Sequence, residues 1–495
     1  GKQGARAGSG APLSDSGADS VPGLSPPSGD HVMPIDIHQL LAERSAEKYE
    51  LYDRYLNAQM VRVLRTIGFD RNYTRGLGAY LYDQQGDRYL DLLSGFGVFA
   101  VGRNHPTVIG ALQQTLTAEL PNLVQMDVSL LSGLLAERLL PRLAGMEKLF
   151  FCNSGAEAVE AAMKFSRATT GRQRILFCEH AFHGLTYGAL SLNGDDNFRN
   201  GFEPLLPGCA AVPFNDLGRL EAELAAGDVA AFIVEPIQGK GVNMPDDAYL
   251  PEAARLCRKY GALFVADEIQ TGIGRTGKFL ALDHWGVEAD MVLLAKALSG
   301  GFVPVGAVAM RKRIFDKVFD RMDRAVVHGS TFAKTDIAMA AGLATLQVLD
   351  DENLIANAAA IGAEIQADLA AFQGRYEFVK AVRGKGLMIA IEFGAPKSLA
   401  LKASWALLEG ARKGLFSQLI TIPLLKQHRI VSQVAGYGMN VIKLIPPLTL
   451  GQDDRAWIAR AFDQVIADSH RVPGAIWDLG RTLASHSLKA RSSAA

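Results

Sequence analysis

Apolar residues follow two distinct patterns beyond about Gly145. Short runs that are apolar throughout alternate with segments in which apolar residues recur about every 3.6 positions. Unbroken apolar runs are typical of parallel strands covered on both faces, and their alternation with helices predicts an α/β fold. Two of the helices are expected to end at Gly171 and Gly261. The predicted strands are Leu149–Cys152, Ile175–Cys178, Ala230–Val234, Ala262–Ala266, Met291–Leu294 and Val305–Met310.

The regions on either side of this pattern differ from it. The first 32 residues are mainly Gly, Ser, Ala, Pro and Asp, which predicts a disordered leader. A helical period from Ile35 to about Leu64 and then a β-hairpin turning near Gly86 are predicted next. The predicted organisation is a leader (1–32), an N-terminal segment belonging to a small domain (33–105), a large ligand-binding domain (106–350), a C-terminal α+β small domain (351–480) and a tail (481–495).

Charge and cysteine content exclude several classes of function. The 51 Lys and Arg residues nearly balance the 52 Asp and Glu residues, so no electrostatic basis for binding nucleic acid exists. No uncharged apolar run approaches the roughly 18–20 residues of a membrane span. The four cysteines form no CxxC pair and no His/Cys cluster, which predicts no metal site and a reducing, cytoplasmic location.

Candidate binding residues follow the predicted strands, at the sheet edge where α/β proteins bind ligands. After the first strand, Ser154, Gly155 and Ala156 open a helix whose free N–H groups suit a phosphate. After the second strand, Phe182 and His183 place an aromatic ring where it can face a planar ligand. Each feature alone is also compatible with an ordinary strand–helix turn or a packed side chain.

Three charged residues follow the next strands. Glu235 follows the third, and Asp267 ends the fourth, where a poorly solvated carboxylate needs a cationic partner. Lys296 follows the fifth, where desolvation lowers an amine pKa as a Schiff-base nucleophile requires. Taken singly, Asp267 is also compatible with a helix cap, and Lys296 is also compatible with a surface lysine. Together, the phosphate cradle, aromatic ring, carboxylate and lysine match the requirements of pyridoxal 5′-phosphate (PLP).

From about Gly78 to Leu448 the sequence resembles the class III (ω-) PLP-dependent aminotransferases. The resemblance implies a fold-type I enzyme, with a large, mostly parallel seven-stranded sheet and a smaller α+β domain. It also implies a transaminase that moves an amino group between an amine or amino acid donor and a carbonyl acceptor. The motifs that carry it are FFCNSGAEAVEAA, EHAFHG, FIVEPIQGKGV, LFVADEIQTGIGRTGKF, LLAKALSGGFVPVGA, HGSTFAKTDIA, VRGKGLMIAIEF and IPPLT.

The resemblance also implies a role for each motif residue. Lys296 would hold PLP as a Schiff base and shuttle a proton, while Asp267 would keep the ring nitrogen protonated. Thr331 would reach the phosphate of a neighbouring subunit, which implies a homodimer or a dimer of dimers. The remaining implied contacts are Ile269 and Phe182 on the ring faces, Gln270 at the ring hydroxyl, His183 near the cofactor, Ser154, Gly155 and Ala156 at the phosphate, and Glu235 on the substrate side.

Some positions depart from the usual family pattern. Phe182 stands where a tyrosine is usual, and Thr335-Asp336 where Asn-Pro is common. Lys443 stands where amino-acid-specific members usually carry an arginine, so a point charge replaces a bidentate fork for the substrate carboxylate. Standard α-amino-acid recognition is therefore expected to be altered.

The apolar stretch Leu415–Leu425 suggests a substrate class. It resembles, more loosely, the C-terminal portion of hopanoid-associated aminotransferases, and it predicts an apolar channel for a long-chain substrate. The alternative is that the stretch packs as core and the substrate is an ω-amino acid or a diamine. A PLP aminomutase or decarboxylase would share the same cofactor residues, whereas a silent scaffold is disfavoured because Lys296 and Asp267 are both retained.

Overall fold

The computed structural model describes residues 35–124, 126–471 and 473–492. The predicted leader, residues 1–32, lies outside the described residues. The chain divides into a compact unit ending at Lys48 and a second unit from Tyr49 onward. In the first unit, a helix over Ile37–Arg44 begins where the Asp36 side chain accepts a hydrogen bond from the Gln39 N–H. The sheets and the cavity described below belong to the second unit.

The strands are, in chain order, β1 (Tyr73–Leu77), β2 (Tyr80–Asp83), β3 (Arg88–Asp91), β4 (Lys148–Cys152), β5 (Arg174–Cys178), β6 (Cys209–Val212), β7 (Val229–Val234), β8 (Leu263–Asp267), β9 (Met291–Leu294), β10 (Gly306–Met310), β11 (Val379–Lys385), β12 (Met388–Phe393), β13 (Ile430–Val431), β14 (Gln433–Val434) and β15 (Val441–Leu444).

The α-helices are α1 (Ile37–Arg44), α2 (Lys48–Tyr55), α3 (Ala58–Ile67), α4 (Ser94–Gly97), α5 (Pro106–Thr117), α6 (Leu130–Leu139), α7 (Gly155–Thr170), α8 (Tyr187–Ser191), α9 (Asp196–Arg199), α10 (Leu217–Leu224), α11 (Tyr249–Tyr260), α12 (Lys312–Val318), α13 (Asp336–Asp351), α14 (Leu354–Ala370), α15 (Leu399–Ala411), α16 (Leu415–His428), α17 (Gln452–Ser469) and α18 (Ala475–Ser492).

A seven-stranded sheet forms the centre of the second unit. Its strand order is β4-β10-β9-β8-β7-β5-β6, and only β10 runs antiparallel to its neighbours. All six strands predicted from the sequence are present within one residue of the expected bounds, and the α/β fold class is confirmed. Strand β6 was missed because this edge strand is short and only Val212 is fully buried.

Helices pack on this sheet as the apolar period predicts. Helix α7 packs against β7, β9 and β10, and α11 packs against β8. Both end at the predicted glycines, Gly171 and Gly261, which adopt left-handed backbone angles that a side chain disfavours. These helices cover the sheet and leave the carboxyl ends of β5, β7, β8 and β9 facing the same edge. No helix among the described ranges is long and apolar enough to cross a membrane.

Two smaller sheets complete the second unit. The predicted hairpin is confirmed as β2 and β3, and the late strand β13 pairs in parallel with β3. Strands β11, β12, β15 and β14 form an antiparallel sheet. Strand β3 from the N-terminal part of the chain and β13 from its C-terminal part thus share a sheet. The domain bounds themselves stay a prediction.

Two sequence expectations differ from the structure. The helix expected over Ile35–Leu64 is interrupted, because the Asn57 side chain accepts the Met60 N–H at 3.0 Å and starts a new helix, α3. The tail expected at 481–495 begins inside α18, because Leu483 and Ala484 are buried and extend the helix.

Candidate active site

One cavity of about 1250 Å³ lies at the carboxyl ends of the central strands. The loops that follow β4, β5, β7, β8 and β9 each contribute a wall. Every site residue selected from the sequence lines this cavity except Thr331. These residues are Ser154, Gly155, Ala156, Phe182, His183, Glu235, Asp267, Ile269, Gln270, Lys296 and Lys443.

The loop after β4 forms an anion-binding end of the cavity. The Ser154 hydroxyl accepts the Glu157 N–H at 3.1 Å, and the Glu157 carboxylate accepts the Asn153 N–H at 2.8 Å. This reciprocal capping fixes the first turn of α7. A Cβ on Gly155 would lie 2.9 Å from Ile269 Cδ1, so a glycine is needed where these two loops meet. The remaining N–H groups of the turn, together with the helix dipole, suit a phosphate.

Asp267 and His183 form a buried pair below the cavity. The two side chains meet at 2.6 Å through Asp267 Oδ2 and His183 Nδ1, while Asp267 Oδ1 accepts the Ile269 N–H at 3.0 Å. Burial lowers the pKa of His183, but the hydrogen bond and charge of Asp267 outweigh burial, and the pKa is raised. The Asp267 carboxylate is thus fixed in place by the His183 ring and the Ile269 N–H. An ionised carboxylate at this place can hold a protonated ring nitrogen.

Lys296 is held in an unusual backbone conformation two residues beyond β9. Its φ of +43° lies in the left-handed region, which a residue with a side chain rarely adopts and which is frequent at functional sites. Burial lowers the pKa of the Lys296 amine, and the carboxylates of Asp267 and Glu235 oppose this effect. A larger neutral fraction makes the amine more nucleophilic.

Glu235 ties the loops after β5 and β7 together. Its two carboxylate oxygens accept the N–H groups of Phe182 at 2.9 Å and Gly239 at 2.7 Å. Burial and the charge of Asp267 raise the pKa of Glu235, and His183 together with these two N–H groups opposes the rise. Glu235 therefore positions the backbone on both sides of the cavity.

The Lys443 ammonium already forms hydrogen bonds with other groups of the protein. Its ammonium donates to the Gly239 carbonyl at 2.7 Å and to Gln270 Oε1 at 3.2 Å. The Gln270 amide in turn donates to the Phe96 carbonyl at 3.1 Å, so it joins three distant parts of the chain. Burial, together with the nearby charge of Lys296, lowers the pKa of Lys443 to about 7. Lys443 is consequently a weaker cation for a substrate carboxylate than its sequence position predicts.

Thr331 is exposed and lies outside the cavity of its own chain. The preceding residue, Ser330, accepts a hydrogen bond from the Asn153 side chain, which itself lines the cavity. The role predicted for Thr331 requires a second subunit and stays a prediction.

The prediction that Leu415–Leu425 forms a substrate channel is wrong. This stretch belongs to α16, whose side chains are buried in the main core and pack against α15, α17 and α18. A helix that is apolar on all sides is explained by burial on all sides. None of its residues lines the cavity. The apolar walls come instead from Phe96, Val98, Phe182, Phe198, Phe302, Val303, Pro304, Val434, Ala435 and Tyr437.

Several of these wall residues were not selected from the sequence, because they lie in loops or very short elements rather than at the ends of the long apolar strands. Phe96 sits between Gly95 and Gly97 in the segment Leu93–Val98, and this glycine content was a usable signal. Lys240 directly follows the Glu235–Gly239 motif and also lines the cavity. Among the residues that the structure describes, no cluster of His, Cys, Asp and Glu side chains could hold a metal ion.

Comparisons with known proteins agree with this geometry. A family model described as Aminotransferase class-III matches residues 65–466. The chain is 36% identical over 412 residues to acetylornithine aminotransferase of Bacillus subtilis, covering 82% of this chain and 98% of that relative. It is 33% identical over 464 residues to Aminotransferase PigE of Serratia sp., covering 87% of this chain. The chain spans only 54% of the length of PigE.

Solved structures of transaminases share the fold. Ornithine aminotransferase from Toxoplasma gondii superposes with a TM-score of 0.70 at 32% identity, covering 80% of this chain and 90% of that chain. An amine transaminase from an uncultivated Pseudomonas species, solved in its PLP-bound form, gives a TM-score of 0.69 at 30% identity, with coverages of 80% and 94%.

Proposed function

This chain belongs to the class III aminotransferases, which are PLP-dependent enzymes, and we propose that it transfers an amino group from an amino acid to an apolar carbonyl compound. The aminotransferase activity and the cofactor follow from the family. The substrate class is our proposal, and the observation that carries it is the aromatic and aliphatic lining of the 1250 Å³ cavity.

The residues present fit PLP. The capped turn at Ser154 and Gly155 suits its phosphate, and Ile269 reaches to within contact distance of that turn. Bound PLP supplies an electron sink next to the amine-bearing carbon of the substrate. We assign to Lys296 the attachment of the cofactor and the movement of a proton to and from that carbon. Asp267, held in place by its hydrogen bond with His183, would face the positive charge of the ring nitrogen.

The cavity favours an apolar acceptor over a compact or cationic one. Phe182 and Phe198 meet edge to face at 5.5 Å on one wall, and Phe302 lies on the lining as well. Burying each methylene contributes about 0.8 kcal/mol, so four further carbons contribute roughly 3 kcal/mol, or more than a hundredfold in kcat/KM. Lys240 and Lys443 also line the cavity, and like-charge repulsion disfavours the second ammonium of a diamine next to either of them.

We also propose a homodimer, or a tetramer made of such dimers. Two exposed segments carry large apolar side chains. Met126 and Val128 lie in one segment, Met322 and Val326 lie in the other, and the four are 84% to 97% exposed. Contiguous exposed apolar patches are typical of protein interfaces, and these side chains are candidates for such a patch. Together with the exposed Thr331, they support a site completed by a second subunit.

The proposed chemistry is tested on Lys296. Borohydride reduction of the purified, yellow holoenzyme should fix a pyridoxyl group on Lys296, located by mass spectrometry of peptides. Lys296→Ala should abolish turnover, whereas Lys317→Ala, at an exposed position of α12, should retain it. A pyridoxyl group on any other lysine would contradict the assignment.

The proposed substrate class is tested with aldehydes of four to twelve carbons as acceptors. We expect kcat/KM to rise with chain length until the cavity is filled. Values that stay flat or fall along the series would contradict an apolar acceptor and favour an ω-amino acid as substrate. Loss of carbon dioxide or isomerisation without amino transfer would instead indicate a decarboxylase or an aminomutase.

A further inference from the structure

The backbone beside Lys240 is fixed to the centre of the site. Gly239, the preceding residue, donates its N–H to Glu235 at 2.7 Å and accepts from the Lys443 ammonium at 2.7 Å. Both partners are buried and line the cavity. The Cα of Lys240 therefore has a defined position, and only its side chain is free to change direction.

The Lys240 side chain lies along the cavity wall. Its Cε is close to Gly436, where a Cβ would lie 3.3 Å away, and its ammonium sits 5.2 Å from the centre of the Phe198 ring. Gly436 and Phe198 also line the cavity. The ammonium forms an ion pair with Asp195, and each of the two side chains is 12% exposed. The Lys240 ammonium thus places a positive charge at the edge of an apolar cavity.

Asp195 does not depend on Lys240 for its remaining hydrogen bonds. Its Oδ1 accepts the Asn197 N–H at 2.9 Å and the Asn197 side-chain amide at 2.7 Å. These donors cap α9 and stay in place when the ammonium moves away. Release of Lys240 therefore leaves a capped, partly solvated carboxylate rather than a buried, unpaired charge, which keeps the cost of release small.

The other cations of the cavity have tasks that exclude them as carboxylate ligands. Among the described lining residues these cations are His183, Lys296 and Lys443. His183 is bonded to Asp267, Lys296 is assigned to the cofactor, and Lys443 is bonded to Gly239 and Gln270. Buried Arg275 donates to the Leu387 and Pro446 carbonyls and does not line the cavity.

We propose that Lys240 is the specificity residue that allows one apolar cavity to accept two kinds of substrate. Its ammonium leaves Asp195 to bind the carboxylate of the amino acid donor, and it returns to Asp195 when an uncharged carbonyl substrate or its amine product occupies the cavity. This inference rests on the proposed function and adds the group that recognises the donor. The ligand chemistry is a carboxylate carried on a small amine.

Half-reactions of the holoenzyme, followed by cofactor absorbance, test whether the Lys240 ammonium moves from Asp195 to the carboxylate of the donor. Lys240→Met should lower kcat/KM for glutamate or alanine by about 10- to 100-fold, as expected for losing one charged hydrogen bond. The loss for hexylamine, which has no carboxylate, should stay within about threefold. Lys240→Arg should recover most of the amino acid activity, and Lys317→Met serves as the control for an equal change of charge on the surface.

Asp195→Asn should change kcat/KM for amino acids in the opposite direction from Lys240→Met. An asparagine retains the cap of α9 but removes the charge that holds Lys240. We expect kcat/KM for amino acids to rise several-fold in this variant, while hexylamine changes little. Equal losses for amino acids and hexylamine in Lys240→Met, or no loss for either, would overturn the proposal.

A binding measurement separates failure of this inference from failure of the proposed function. Pentanoate, a carboxylate without an amine, should stabilise wild-type holoenzyme in a thermal shift experiment and should do so less in Lys240→Met. If wild type transfers no amino group from any donor, the proposed function fails, yet the pentanoate comparison still decides the role of Lys240. Equal pentanoate affinity in both proteins would overturn the inference even if the enzyme is active.

Discussion

Lys296 and Lys443 are two lysines of one cavity that burial affects in different ways. Lys296 faces the carboxylates of Asp267 and Glu235, which oppose the lowering of its pKa. Lys443 has neutral hydrogen-bond partners, and burial together with the charge of Lys296 lowers its pKa to about 7. Near neutral pH, Lys443 is therefore only partly charged.

The lowered pKa of Lys443 predicts a pH-dependent contribution to stability. In the unfolded chain this amine titrates near 10.4, so between about pH 7 and pH 10 the unfolded state binds more protons than the folded state. Stability should accordingly rise with pH across this window. The increase in Tm of the holoenzyme from pH 7 to pH 9 should be smaller in Lys443→Met than in wild type. Parallel changes in both proteins would contradict the shift, and Lys317→Met should behave like wild type.

The part of the site that could be predicted from the sequence is the set of charged residues at the ends of the strands. Asp267 and Lys296 directly follow apolar runs, so their burial and their shared edge followed from the α/β pattern. The pairing of His183 with Asp267 and the engagement of Lys443 by Gly239 could not be predicted. Both depend on side chains brought together by loops, which carry no periodic signal.

At the scale of elements, helix α16 shows how an apolar pattern can be misassigned. Its residues resemble a channel wall in sequence, but α15, α17 and α18 cover it. The contact with α18 is close, since a Cβ on Gly480 would lie 3.1 Å from both Leu408 and Leu419. Periodicity separates buried from exposed residues, but it does not distinguish a cavity wall from a core contact.

Leu419→Ala tests this assignment of α16. Leu419 is fully buried, so the substitution should lower the free energy of unfolding by about 2–5 kcal/mol through the cavity it leaves. The dependence of kcat/KM on acceptor chain length should not change. Phe198→Ala, on the cavity wall, should alter that dependence with a smaller loss of stability. A changed chain-length profile in Leu419→Ala would place α16 in contact with substrate after all.

At the scale of the whole molecule, the exposed apolar segment that contains Met126 is joined to α13 by hydrogen bonds. The Ser129 hydroxyl donates to Asp336 at 3.0 Å, and Asn122 accepts the Asp336 N–H at 3.0 Å. The segment that contains Met126 therefore lies beside the start of α13, which follows the segment that contains Thr331. In the proposed dimer, this part of the surface would face the second subunit.

Complementation between inactive subunits tests the shared site. Thr331→Ala should weaken the site of the partner, and Lys296→Ala should abolish the site of its own chain. A heterodimer of the two then contains one intact site. Random mixing after co-refolding should restore about a quarter of the wild-type sites, since half of the dimers are mixed. No recovery would show that Thr331 serves its own chain, and an active monomer in sedimentation would contradict the dimer.

The bridge made by Gln270 has a consequence for how the enzyme is synthesised. It joins the carbonyl of Phe96 to the ammonium of Lys443, residues separated by almost the whole folded unit. At about 5–20 residues per second, the ribosome needs tens of seconds to produce the chain between them. A nascent chain that already contains Lys296 still lacks this closure. The hydrogen bonds that join these parts of the cavity therefore form only after Lys443 has been synthesised.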